Sequence, residues 1–255
     1  MLHLSIFKYT NIQRMSEQNQ WEKLGNQFFK YRGQIPVLIF LLAFGLMHLY
    51  PETEIWHNAN NTYLALSLVV LGHLIRALAV GKRAAHTSGR NRDEQVAEAL
   101  NSTGIYSMVR HPLYLGNMTT YMGWVVFTGI SWLIPLMLFI FLFYYRFIIY
   151  AEEQFLTRKF GQEYAQWKKQ TPLLLPAFWK FRANPHNFSW KVVVENEYTG
   201  MAASLTTAWV LLAFQWYVLG EFNARIPQLL GFALFILVFT YGLRYLKKKT
   251  QFFKV

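Results

Sequence analysis

Between residues 104 and 176 the chain reads Gly104-x-Tyr106-x-x-x-Arg110-His111-Pro112-x-Tyr114-x-Gly116, then a long apolar stretch, then Glu152-Glu153 and Phe160-Gly161-x-Glu163-Tyr164, closing at Pro172 to Pro176. A guanidinium, an imidazole and two carboxylates are groups that bind ions and hydrogen-bonding polar ligands. Here they stand at both ends of one apolar hairpin, which points to a site at a membrane surface. Pro112 and Glu153 are about forty residues apart, roughly 60 Å of helix at about 1.5 Å per residue, against a hydrocarbon core of about 30 Å. One span is therefore excluded. A break between Gly129 and Pro135 leaves two arms of roughly twenty residues each, since Pro135 interrupts a helix and Gly129 and Ser131 favour a turn. The return arm then brings Glu152 and Glu153 beside His111.

Composition supports the membrane reading. The chain has 255 residues, of which 54% are hydrophobic and 18% aromatic, and its mean hydropathy is +0.17. Further spans are expected at Ile35 to Tyr50, Thr62 to Val80, Gly200 to Leu219 and Ile226 to Leu246, from length and scarcity of charge. The predicted fold is an all-α polytopic membrane bundle of six membrane segments, the helical hairpin among them. Met1 to Gly33 is polar and basic, which argues against a cleavable signal peptide and suits an interfacial helix. Of the 25 Lys and Arg residues, all but Arg225, Arg76 and Arg146 fall on one side when both termini are placed inside. By the positive-inside rule that side is cytoplasmic. The net charge of +12 is then a basic collar beside anionic membrane lipids rather than a nucleic-acid surface.

The chain has no cysteine, which excludes disulfides, thiolate nucleophiles and Cys-type zinc sites. The seven histidines include no His-x-x-x-His pair, so a metal enzyme is not expected. His73 is read as an interhelical hydrogen bonder. His48 and His57 are placed near the opposite membrane face, away from any catalysis.

The pattern Leu100-x-x-x-Gly104-x-Tyr106-x-x-x-Arg110-His111-Pro112-Leu113-Tyr114-x-Gly116 and the pattern Glu152-Glu153-x-x-Leu156-x-x-x-Phe160-Gly161-x-Glu163-Tyr164 together resemble the integral-membrane methyltransferases related to isoprenylcysteine carboxyl methyltransferase and the phospholipid methyltransferases. The likeness runs from about Arg76 to Pro176. It implies that the two segments enclose S-adenosylmethionine at the cytosolic face while a lipophilic acceptor enters from the bilayer. On that implication the cofactor-binding residues are Tyr106, Arg110, His111, Pro112, Tyr114, Gly116, Glu152 and Glu153. The chemistry of the cofactor fits. A helix opened by Pro112 presents free amide groups and a positive end to a carboxylate, with Arg110 and His111 beside it. An ionised Glu152 or Glu153 accepts from an ammonium or ribose hydroxyls. Tyr106 and Tyr114 suit the adenine or the sulfonium.

Plainer readings compete. Arg110 also serves as an ordinary cytoplasmic flank, Tyr114 as an interfacial anchor, and Phe160 to Trp167 as an amphipathic helix covering the pocket. Adjacent glutamates diverge by about 100° on a helix, so one is expected to meet the ligand and the other to pair or be solvated. Arg146 and Arg76 are ionisable groups inside apparent spans, and such groups are functional candidates by default. They are the catalytic candidates, as cations orienting a carboxylate or phosphate acceptor. Their bland alternatives are an Arg146 to Glu153 pair and snorkelling toward the interface.

Three parts are expected: a cytosolic or interfacial N-terminal segment, 1–34; a membrane methyltransferase core, 35–182; and a C-terminal extension, 183–255, bringing two further membrane helices and Lys247-Lys248-Lys249. Asn196-Glu197-Tyr198 is placed over the pocket. The expected activity is S-adenosylmethionine-dependent methyl transfer to a membrane lipid or lipidated headgroup in a bacterial inner membrane, with an oxygen acceptor favoured because an anionic nucleophile needs no base. One competitor is an NADPH-dependent sterol-type reductase, whose family shares a His-Pro-x-Tyr-x-Gly motif. That family has Asn then Tyr after His-Pro and an acid after the Gly, where this chain has Leu113, Tyr114 and Asn117. The other is a non-catalytic scaffold or lipid carrier, against which intact Arg110, His111, Glu152 and Glu153 weigh.

Overall fold

The computed structural model describes residues 20–49, 59–82 and 97–250. Among them the regular elements are helices, with nothing more strand-like than isolated bridges. They run α1 (20–31), α2 (Ile35–Leu49), α3 (Ala59–Gly81), a short α4 (Ile105–Met108), α5 (Pro112–Phe127), α6 (Leu133–Gln170), a 3-10 turn (Phe178–Lys180), α7 (Trp190–Val218) and α8 (Phe222–Lys249). Residues 1–19 of the expected interfacial segment and His57 lie outside the described residues.

Among the described residues four helical stretches are long and apolar enough to cross a membrane: Asn61–Gly81, Leu133–Gln170, Trp190–Val218 and Phe222–Lys249. Six were expected. The other two candidates, α2 with 15 residues and α5 with 16, reach only about 22 to 24 Å at about 1.5 Å per residue, less than a full hydrocarbon core.

The hairpin forms where apolar length and turn chemistry place it. Helix α5 ends at Phe127, Gly129 takes a positive φ of 73°, and Thr128 Oγ1 donates to the Val125 carbonyl at 2.7 Å. Pro135 does not break the chain. It sits in the first turn of α6, where a missing N–H forfeits no helical bond. The core lies between the arms and α3, built from Trp124, Leu133, Met137, Phe141, Tyr145 and Ile148, with Tyr121 stacked on Phe141 at 5.2 Å.

Two glycine-dependent features set the position of everything polar. The first is the crossing of α3 and α5. A Cβ on Gly116 would stand 2.6 Å from Arg76 Cγ and 2.8 Å from the Gly72 carbonyl oxygen, and one on Gly123 would stand 2.7 Å from the Ala65 carbonyl oxygen. Small residues let the backbones approach this closely, the usual basis of helix association in lipid. The second is a reversal inside α6. At 38 residues a straight α6 would be about 57 Å long. Instead Gly161 adopts φ 52° and ψ −118°, and Lys168 returns to put its Nζ 2.6 Å from Glu153 Oε2. Fifteen residues of straight helix would separate those two by about 22 Å.

The C-terminal pair α7 and α8 is joined by a tight turn through Gly220, with φ 73°, and Glu221 N donates to the Trp216 carbonyl at 2.8 Å. The outward face of α8 is a run of exposed Leu230, Leu234, Phe235, Leu237 and Val238. Such a face suits hydrocarbon rather than water.

Two outcomes follow for purified protein in detergent. Gly123→Ala lowers the melting temperature, overpacking of this kind being worth about 1–3 kcal/mol, whereas Gly242→Ala, with nothing within 4 Å of its Cβ, does not. Equal losses in both would mean that the crossing is not what the new methyl meets. Gly161→Ala, placed in a backbone region that costs a non-glycine residue about 1–3 kcal/mol, releases the segment after the reversal. Limited proteolysis then cuts between residues 161 and 171 faster than in the parent protein, and an unchanged rate would argue against the reversal.

Candidate functional site

The Arg110-His111-Pro112 segment is held as a short extended strap before α5. Arg110 N donates to the Pro172 carbonyl at 2.9 Å and His111 N, at 3.4 Å, points to that of Leu173. Upstream, Gly104 turns with φ 60° and its N–H donates to the Arg182 carbonyl at 2.8 Å. Ser107 Oγ closes the loop, donating to the Gly104 carbonyl at 2.7 Å and accepting from Arg182 N at 2.8 Å. The Gly104 motif and the chain beyond α6 thus fix each other. Pro112 is the first residue of α5, which has no side-chain N-cap, so its opening amides stay free for a ligand.

The charged side chains meet as spacing predicted. Arg110 Nη1 donates to Glu153 Oε1, and Lys168 pairs with the other oxygen of that carboxylate. Tyr114 OH donates to Glu152 Oε2 at 2.7 Å. Between the two carboxylates lies the buried His111 ring, with Nδ1 3.6 Å from Glu152 Oε2 and Nε2 3.5 Å from Glu153 Oε1. Tyr114 stacks on that ring at 5.5 Å with an interplanar angle of 18°. The glutamates diverge along α6, yet both reach this imidazole.

The apolar part of α6 ends at Ala151, so Glu153 stands outside the membrane-spanning stretch. Burial pushes its carboxyl up, but His111, Lys168 and the charge of Arg110 outweigh that and hold it down at about 2. The contribution to stability is complete above the ordinary carboxylate range near 4.5 and is lost only as pH falls toward that lowered value. Arg110 Nε is nevertheless buried without a hydrogen-bond partner, and His111 Nε2 has only its long 3.5 Å contact with Glu153. Buried nitrogens in that condition are costly unless a ligand or water satisfies them.

Other predicted residues are placed differently. Tyr106 is half-buried, and its carbonyl accepts from Trp167 Nε1 at 3.2 Å, so the segment after Gly161 does cover this region. Gly116 is the close-approach point of α3 and α5, facing Arg76 and Gly72. Arg76 does not stand ready for an acceptor. It forms a bidentate pair with buried Glu197, at 2.6 and 2.9 Å, and Nη1 donates to Asn117 Oδ1 at 2.5 Å. Arg146 is on the exposed side of α6, with its guanidinium 4.6 Å over the ring of Trp21 in α1. It pairs neither with Glu153 nor with the cluster, because the sequence could not show which side of α6 helix α1 covers. His73 is the expected interhelical bonder, 2.9 Å from Ser204 Oγ. Asn117 and Lys168 were assigned no role from sequence, and Glu197, expected over the pocket, is instead the buried partner of Arg76 between α3 and α7. Among the described residues no group of three or more His, Asp or Glu side chains could hold a metal ion.

Residues 60–163 match the model of the phospholipid methyltransferase family. Protein-S-isoprenylcysteine O-methyltransferase of Saccharomyces cerevisiae is 33% identical over 142 residues, covering 50% of this chain and 56% of that protein. Nickel-cobalt-cadmium resistance protein NccN of Alcaligenes xylosoxydans is 31% identical over 127 residues, 49% of this chain and 57% of that one. Cobalt-zinc-cadmium resistance protein CzcN of Cupriavidus metallidurans is 28% identical over 180 residues, 69% and 78% of the two chains. The chain thus spans little more than half the length of the first two. No solved structure matches. Four helices among the described residues that are long and apolar enough to cross a membrane, taken with these relatives, make the chain an integral membrane protein whose residues 60–163 carry a segment of the phospholipid methyltransferase family, similar also to the isoprenylcysteine O-methyltransferases.

Proposed function

We propose that this protein is an S-adenosylmethionine-dependent methyltransferase that modifies the headgroup of a membrane lipid or a lipidated molecule at the cytoplasmic face of a bacterial inner membrane, with six membrane segments counting α2 and α5. The observation that carries the reading is the closed cluster of Arg110, His111, Glu152 and Glu153 beside the uncapped start of α5, in which Arg110 Nε is buried without a hydrogen-bond partner and His111 Nε2 has only its 3.5 Å contact with Glu153. That donor set fits the cofactor. Arg110, His111 and the first amides of α5 suit its carboxylate, and Tyr114 lies next to them to offer a ring face.

Glu152 is the carboxylate with capacity left for a cofactor ammonium or ribose hydroxyl, since its side chain is 26% exposed and that of Glu153 is 12%. Glu153 is a positioning residue, committed to Arg110 and Lys168. When bound, S-adenosylmethionine supplies a methyl group activated by a positively charged sulfur. The protein's part is to hold the acceptor atom in line with that methyl and to exclude water. Buried Tyr164 and Trp167, returned over the strap by Gly161, provide the exclusion.

An oxygen acceptor is favoured because the yeast relative is named as an O-methyltransferase, and the family name supports a lipid. Arg146, lying over Trp21, is not proposed as the orienting cation. Arg76 could orient an acceptor only through Glu197 and Asn117, and is read as a positioning residue that ties α3 and α5 to α7.

Calorimetric titration of detergent-purified protein tests this. S-adenosylmethionine binds in the micromolar range and NADPH does not, and Arg110→Ala weakens binding at least tenfold. Binding of NADPH alone would replace the reading with the reductase. Glu152→Gln weakens cofactor binding with little change in melting temperature. Glu153→Gln lowers both, since a buried pair that loses one partner costs about 3–5 kcal/mol. Equal affinity in the parent and both variants would remove the carboxylates from the site. Glu197→Ala destabilises the protein through unpaired Arg76, and the double variant Arg76→Met/Glu197→Leu recovers most of that loss, measured as melting temperature.

A further inference from the structure

After the Gly161 reversal the chain forms a segment whose exposure is out of keeping with its composition. Leu175 is 82% exposed, Phe178 70% and Trp179 83%, with Leu173 and Phe181 also open. These side chains do not protrude because the backbone is loose. Pro172 and Leu173 carbonyls face Arg110 N and His111 N, Ala177 N donates to the Met108 carbonyl at 3.0 Å, and Arg182 N is held by Ser107 Oγ. The segment is fixed to the strap that carries the candidate site, and it offers its apolar side outward.

The same surface is basic. Lys169 and Lys180 line it, with Lys180 Nζ donating to the Gln170 carbonyl. An open hollow of about 430 Å³ lies between Lys169, Thr171, Pro172, Leu175, Trp179 and Lys180, a size within the usual range for small-ligand sites. Tryptophan and phenylalanine at a membrane surface sit at headgroup depth, and lysines beside them are drawn to anionic lipid. A water-facing role fits the lysines but not the rings, and burial in hydrocarbon fits the rings but not the lysines. Only the interface satisfies both.

We infer that residues 171–181 dip into the headgroup layer and that Lys169 and Lys180 hold the phosphate of an anionic phospholipid of the surrounding bilayer. The inference rests on the reading that the Arg110 end of the hairpin faces a bilayer surface. Through Pro172 and Leu173 an occupied lipid site bears directly on the backbone of Arg110 and His111.

Because the chain has no cysteine, Leu175→Cys carries one polarity-sensitive fluorophore on the full-length protein in lipid nanodiscs. The expected result is blue-shifted emission that is quenched by phosphatidylcholine brominated on its acyl chains and shielded from aqueous iodide. Replacing part of the phosphatidylcholine with phosphatidylglycerol increases the blue shift, and Lys169→Gln/Lys180→Gln reduces that increment at least threefold. A label quenched by iodide and indifferent to brominated lipid overturns the inference, including the case in which this surface meets another protein. An increment unchanged in the double variant overturns the phosphate assignment. Titrating S-adenosylmethionine into the same labelled protein separates the two readings: binding with a water-exposed label defeats the lipid site alone, and a lipid-immersed label without binding defeats the methyltransferase.

Discussion

A guanidinium and a carboxylate at the end of an apolar hairpin cannot each be buried alone. Taking an unpaired ion out of water costs several kcal/mol, a figure that falls only when an opposite charge and further hydrogen bonds come with it. Arg110 precedes α5, and Glu153 lies in α6. Their pairing therefore fixes the register of the two arms at their polar end, as the Thr128 to Gly129 turn fixes it at the other. Lys168 can complete the cluster only because the chain turns back at Gly161. His111 occupies the space between the two glutamates because Arg110 already holds Glu153.

The pair formed by Arg76 and Glu197 is a second instance of the same constraint, and it joins parts of the chain that share no motif. Its partners come from α3 and α7, with Asn117 of α5 as the third member. Buried pairs are weak sources of stability compared with apolar residues of the same shape, but strong selectors of partner and register. In lipid, where every helix face is apolar, this selectivity matters more than in water. A polar match tells α7 which face of the core to join, and the His73 and Trp124 contacts to Ser204 repeat the message one to two turns deeper. The extension after residue 182 is thereby part of the packing around α3 rather than an appendage to it.

The hairpin and its charged end were legible in the sequence because both follow from one-dimensional quantities: charge-free length, helix rise and turn residues. The convergence of Arg110, His111 and Glu153 needed nothing more. What was not legible depended on which faces meet. Arg146 and Tyr150 share a face of α6 by periodicity, but periodicity is silent on what covers that face, and Trp21 of α1 does so. Arg76 looked available because its partner lies 121 residues later. Gly116 belonged to a family motif and was read as a ligand contact; its missing side chain also lets Gly72 and Arg76 approach across the helix crossing, which the motif alone did not show. The reversal at Gly161 was hidden for another reason: the bent form is selected by long-range bonds, from Lys168 to Glu153 and from Trp167 Nε1 to the Tyr106 carbonyl, that local sequence does not show.

The depth of the cluster follows from the lengths of the arms. Helix α5 has 16 residues, about 24 Å, and the apolar part of α6 from Leu133 to Ala151 is about 28 Å by the same rise. If the Gly129 turn sits at one boundary of a core of about 30 Å, Pro112 and Glu152 lie at the other, level with the headgroups and not out in water. A site at that depth is open to two phases at once. On the function proposed above, a polar, charged cofactor would reach it from the aqueous side past the segment after Gly161, and an amphipathic acceptor would reach it sideways without leaving the bilayer. A deeper site would have to desolvate the charges of the cofactor, and a shallower one would have to extract the acceptor from lipid. The short α5, which falls below the length of a full span, is what places Arg110 and His111 between those two costs.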